Sequence, residues 1–133
     1  MWGGGTNDFI NNVPLEKFEY NIYQLINILH NKTDQKIIFI TPACFKTGDK
    51  GMDYADNNGN RVNWPNYTGH TLDEYVDVII AACDKNGITV LDLYHDEIMD
   101  SVVNPAFYYD TIHPNKQGHA YIAQRLIQIM RNS

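Results

Sequence analysis

Two short runs constrain this chain most: Lys36-Ile37-Ile38-Phe39-Ile40-Thr41-Pro42 and Ile88-Thr89-Val90-Leu91-Asp92-Leu93. Both are apolar without the alternation of a half-exposed strand, and both are too short for a helix. Such runs read as strands buried on both faces, as in a parallel sheet covered by helices. The segments around them carry the helical period instead. Leu15, Phe18, Ile22, Leu25, Ile26 and Leu29 predict an amphipathic helix from Pro14 to Asn31. Pro14 suits its first turn, Glu16 and Glu19 its positive end, and His30 and Lys32 its negative end. Thr71-Leu72-Asp73-Glu74 reads as a capping box opening a second helix. Leu72, Tyr75, Val76, Ile79, Ile80 and Cys83 form its apolar stripe, and Asn86-Gly87 ends it. A third helix spans Lys116 to Arg131, with Ile122, Ala123, Leu126, Ile127 and Met130 turned inward. Met1-Trp2 reads as the end of a strand entering the Gly3-Gly4-Gly5 turn. A strand remnant followed by helix, strand, helix, strand, helix predicts an α/β parallel sheet with right-handed crossovers. Ligands of such sheets sit beyond the carboxyl ends of the strands.

Two motifs fall at that edge. Asp110-Thr111-Ile112-His113-Pro114 places a carboxylate three residues ahead of an imidazole, with Pro114 stopping helix through His113. On one tight turn the carboxylate can hold one ring nitrogen while the other acts as general base. Alone, this spacing also describes a surface turn with a solvated Asp. The second motif, Gly5-Thr6-Asn7-Asp8, follows the first strand remnant. Its bland reading is a cap that orders the next turn. His95, just past the second apolar run, is a rival imidazole. It has no following proline and no matched Asp, so it ranks below His113.

Together, Gly5-Thr6-Asn7-Asp8 and Asp110-Thr111-Ile112-His113-Pro114 resemble the Gly-x-Asn-Asp and Asp-x-x-His blocks of the SGNH (GDSL-type) hydrolases. Asn115 and Gly118-His119 continue the likeness, which covers nearly the whole chain. It implies a flavodoxin-like, three-layer α/β/α domain, here one partial domain over residues 1–133, truncated at its N-terminal side. It also implies roles: Asp110 and His113 as the catalytic pair, with Asn7 and Gly5 at the oxyanion. The family's nucleophile block and its oxyanion glycine block have no match. The only serines are Ser101, late in the chain, and Ser133, its last residue. Neither sits on a strand-to-helix turn of the kind that exposes a nucleophile.

The resemblance therefore implies a serine-type acylhydrolase or acetylesterase acting on a small acyl ester or an acetylated sugar, with the nucleophile supplied from outside this chain. The alternative is an inactive relative that binds a carbohydrate or a protein through the same cleft. No cofactor or metal is expected. The stretch from Cys44 to His70 is long and polar, and such loops are often functional. Trp64 and Tyr67 are its candidate substrate contacts, with Tyr54 beside them. Its Asp49, Asp53, Asp56 and Asn58 lack the spacing of a calcium loop.

A net charge of −6 argues against nucleic acid and anionic membrane as partners. No run is apolar and long enough to span a membrane. Cys44 and Cys83 lack metal-type spacing and read as small buried side chains. Two full strands and a remnant leave an open apolar edge, which is expected to be covered by an N-terminal segment or by a second copy. The sequence does not set the compartment.

Overall fold

The structure, a computed structural model, describes residues 1–43, 54–55, 61–62, 65–101, 103–110 and 113–132, with residues 54–55 and 61–62 described as backbone. Its centre is a parallel sheet of three strands, β1 (Trp2–Gly3), β2 (Ile38–Ile40) and β5 (Thr89–Leu91), in the order β1-β2-β5. Trp2 is in register with Phe39, and Phe39 with Val90. The apolar runs thus form adjacent strands, as their composition predicts, though each is three residues long. A separate antiparallel pair, β3 (Tyr54–Ala55) and β4 (Arg61–Val62), lies within the long polar stretch that reads as irregular in the sequence.

Helices cover both faces. On one lie α1 (Thr6–Ile10), α2 (Leu15–Lys32) and α3 (Leu72–Lys85). Phe9, Phe18, Ile22 and Ile26 from the first two meet Leu72, Tyr75, Val76 and Ile79 from α3, with Phe39 among them. Phe39 is fully buried, and its transfer from water stabilises the fold by about 3 kcal/mol. The other face carries α4 (Lys116–Arg131), which packs Tyr121, Ile122, Leu126 and Ile129 against Leu91, Leu93, Met99 and Tyr108. The layers are α/β/α.

Two local readings need correction. Thr71 is the N-cap of α3, but its hydroxyl makes no capping bond. Glu74 turns away to His70, so the capping box does not close. In α4 the stripe is displaced: Ala123, Ile127 and Met130 are exposed, and Ile129 packs in their place. The helix is covered only where it faces β5 and the preceding loop, so the flank with Ile127 and Met130 meets solvent. Between β5 and α4 the chain makes two 3-10 turns, Glu97–Met99 and Pro105–Phe107. Short α1, unpredicted, starts directly after the glycine turn.

Candidate functional site

Asn7 is placed by that glycine turn. Gly5 has φ 116°, a left-handed conformation that favours glycine, and a Cβ there would lie 3.3 Å from Ile79 and 3.4 Å from Pro42. The chain can therefore turn sharply from β1 into α1 against the packed core. Asn7 then falls in the first turn of α1 with its side chain exposed. It lies just past the carboxyl end of β1.

The second element is the turn that carries Asp110 and His113. One Asp110 oxygen accepts the His113 backbone N–H at 2.7 Å, and the other lies 2.8 Å from Nδ1. With the carboxylate ionised, Nδ1 carries the proton and Nε2 is left with its lone pair. Among the described residues Nε2 has no hydrogen-bond partner, and the His113 side chain is 72% exposed. The base of the turn is closed by two antiparallel rungs: Tyr109 N–H donates to the His113 carbonyl, and Asn115 N–H to the Phe107 carbonyl, each at 2.9 Å.

Helix α4 fixes which end of the sheet this turn occupies. Its Tyr121 and Arg125 bond Asp96, just beyond the carboxyl end of β5. Its last turn, with Gln128, Ile129 and Asn132, lines a cleft of about 380 Å³ beside Lys36 and Thr89, where the strands begin. The helix thus runs antiparallel to β5, and its start, with His113 before it, lies at the carboxyl edge. Asn7 and His113 share that edge.

The anchoring network is partly buried. Burial and the hydrogen bond to Asp96 raise the Tyr121 phenol above its usual range. The Tyr121 hydrogen bond, then the charge of Asp96, raise Arg125. Neither group titrates near neutrality.

His95 corrects the sequence reading, because it does have a matched Asp. Asp92 accepts its backbone N–H at 3.2 Å and lies 2.7 Å from its Nδ1. Thr41 donates its hydroxyl to the same carboxylate at 3.1 Å. The Nε2 of His95 is 3.5 Å from Asp73. Atoms of Asp73, Asp77 and His95 able to ligate a metal lie within 4.8 Å of one another, the one such group among the described residues. Partial desolvation, then the negative charge of Asp73, pushes the Asp77 carboxyl above its usual range.

The substrate-contact candidates fare differently. Trp64 lies outside the described residues. Tyr67 is 79% exposed, and its backbone N–H donates to the Asn12 side chain at 2.8 Å, next to α1. The residue that sets this juxtaposition, Asn66, escaped the sequence reading. It is buried, donating to the Phe9 carbonyl at 2.9 Å and to the Tyr75 hydroxyl at 3.1 Å, while its oxygen accepts from Thr68 and His70. One Asn in a polar loop has no periodic neighbours to mark it. Ser101 is buried, at 7% exposure, in the loop after the first 3-10 turn. Ser133 is outside the described residues.

Comparison with known proteins gives one family and one fold. No curated protein matches the chain significantly. One solved structure superposes at TM-score 0.74 with 26% identity, over 93% of this chain and 59% of its own. A protein from Lactobacillus plantarum gives 0.76 at 23% identity, over 98% and 64%. A possible lipase from Chitinophaga pinensis gives 0.69 at 21% identity, over 98% and 70%. The chain therefore spans under two thirds of the first two solved structures it resembles. The GDSL-like lipase/acylhydrolase model matches residues 2–121. With the α/β/α layers and both motifs inside that span, the chain belongs to the GDSL-like lipase/acylhydrolase family.

Proposed function

We propose that this chain carries the acid–base half of a serine ester hydrolase, completed by a nucleophile from a segment or chain that docks beside β1. The observation that carries the reading is the Asp110–His113 pair, with Nδ1 held at 2.8 Å and Nε2 open to solvent. The nucleophilic Ser attacks the acyl carbonyl, and Nε2 of His113 takes its proton. Asp110 keeps the tautomer fixed and stabilises the imidazolium. The Asn7 amide and the Gly5 backbone N–H face the tetrahedral oxyanion. The alcohol leaves with the proton from His113, and water then releases the acid by the same path. A small acyl ester or acetylated sugar fits an open site, with Tyr67 exposed and its backbone bonded to Asn12 just after α1.

The docking edge is argued from pairing. β1 pairs with β2 on one side only among the described strands, so its other edge has free backbone groups. A strand added there completes the sheet and the site together. A second copy of the chain would cover the edge without adding a suitable Ser, and it is the weaker occupant.

The test is intact-mass labelling with a fluorophosphonate, which tags activated serines. The chain alone is expected to stay unlabelled. A fusion to the upstream segment of a longer family member is expected to label on the added Ser. Labelling at Ser101 would overturn the proposal that the nucleophile comes from outside. A folded fusion that stays unlabelled, yet binds acetylated sugars, would favour the non-enzymatic reading.

A further inference from the structure

The geometry points to Asn115 and Gly118, on the first turn of α4, as positioning residues for His113. The inference rests on the reading of His113 as the general base.

Asp110 and His113 are both more than half exposed, and the pair is not packed into the core. Its order comes from below. The Phe107 carbonyl accepts from Asn115 N–H, the lower rung of the turn. That carbonyl also rests on α4: a Cβ added at Gly118 would lie 2.4 Å from it, closer than any real contact. Only glycine lets the helix approach this backbone. Asn115 fastens the same loop from its other side chain atom. Its Oδ1 caps α4 by accepting from Gln117 and Gly118, at 3.0 and 3.1 Å. Its NH2 donates to the Ala106 carbonyl at 2.7 Å. The helix start and the base of the turn are therefore one clamped unit. A substitution that lifts Phe107 off Gly118 must shift Asn115, and with it the rung next to His113.

Two variants separate positioning from stability. Gly118→Ala forces Phe107 away. Asn115→Asp keeps an oxygen to cap α4, where a negative charge is favourable, but replaces the donor that faces Ala106 with an acceptor. The readouts are thermal melting and the ring 15N shifts of His113, which report which nitrogen holds the proton. In the unaltered chain the neutral ring is expected as a single Nδ1–H tautomer. In Asn115→Asp the expected result is little change in Tm and a mixed-tautomer signature at His113. Gly118→Ala should give the same signature if it folds.

Unchanged His113 shifts in a folded Asn115→Asp protein overturn the inference, whatever happens to Tm. The readout needs no catalysis, so it stands apart from the labelling experiment that tests the hydrolase reading. In a completed, active domain the same variants should lower kcat about 10-fold or more, with KM near unchanged, because only the orientation of the base is disturbed.

Discussion

Asp92 grips His95 in the manner that Asp110 grips His113: one carboxylate oxygen takes the backbone N–H, and the other meets Nδ1 at 2.7 Å. The same three-residue spacing therefore yields the same pair of contacts twice, and local geometry alone does not choose the base. Surroundings distinguish them. The Nε2 of His95 faces Asp73, whereas that of His113 is open. In a completed domain, His113→Ala is expected to lower kcat by about 10³-fold or more. His95→Gln should change it by less than about 10-fold. Steady-state kinetics of the two variants decide the matter, and a reversed order would move the general base to His95.

Asp77 makes a pH-dependent prediction. Its carboxyl is raised chiefly by partial desolvation, then by Asp73, with Asp92 and Glu74 adding to it and His95 opposing. A raised carboxyl pKa means that the folded state binds the proton more tightly than the unfolded state does. The associated stability is present at acid pH and lost as pH climbs through the raised value. Asp77→Asn should therefore raise Tm at pH 7 and have little effect near pH 4. Melting curves at the two pH values check it, and a larger gain at pH 4 would contradict it.

Cys83 is fully buried on α3, and burial pushes its thiol up to about 11. It is expected to resist a thiol reagent in the folded protein at pH 8 and to react fully in denaturant. Counting modified thiols by mass in a Cys44→Ser background tests this, and rapid native labelling would place Cys83 at the surface.

Asp96 accepts from Arg125 at 2.8 Å and from Tyr121, and also caps the first 3-10 turn through Ile98 N–H. Asp96→Ala takes the acceptor from the Tyr121 hydroxyl and leaves Arg125 with Tyr121 alone, at 3.1 Å. The expected cost is about 2 kcal/mol, the order for a hydrogen bond to a charged group. Chemical denaturation measures it. A cost near zero would mean that solvent satisfies these groups.

Tyr75 ties three elements together. Its ring packs on Phe9 and Phe18, and its hydroxyl donates to the Val13 carbonyl and accepts from Asn66. Tyr75→Phe retains the packing and removes the hydroxyl, at an expected cost of about 1–2 kcal/mol. Amide exchange should also quicken in α1 and at Tyr67, because Asn66 loses one of its anchors. Unchanged exchange there would show that Asn66 is held without Tyr75.

The helices and the buried strands were legible from the residues because their signal is local. The stripe of α2 and the uninterrupted run at Ile38–Ile40 record burial in every third, fourth or successive residue. The acid–imidazole contact of Asp110 and His113 was legible for the same reason, since three residues on a turn suffice to form it. Asp92 and His95 have that spacing too, but the apolar run from Ile88 to Leu93 reads as one strand and hides the pair. The strand in fact stops at Leu91, which frees Asp92 to turn. The stripe of α4 differs from its pattern because period gives a face but not how much of it a neighbour covers. What packing alone decided is longer in range. Asn66 reaches Phe9 across 57 positions, and Gly118 meets a carbonyl from another element. These contacts need the chain to be folded before they exist, and a backbone carbonyl leaves no mark in the identity of the residue that carries it.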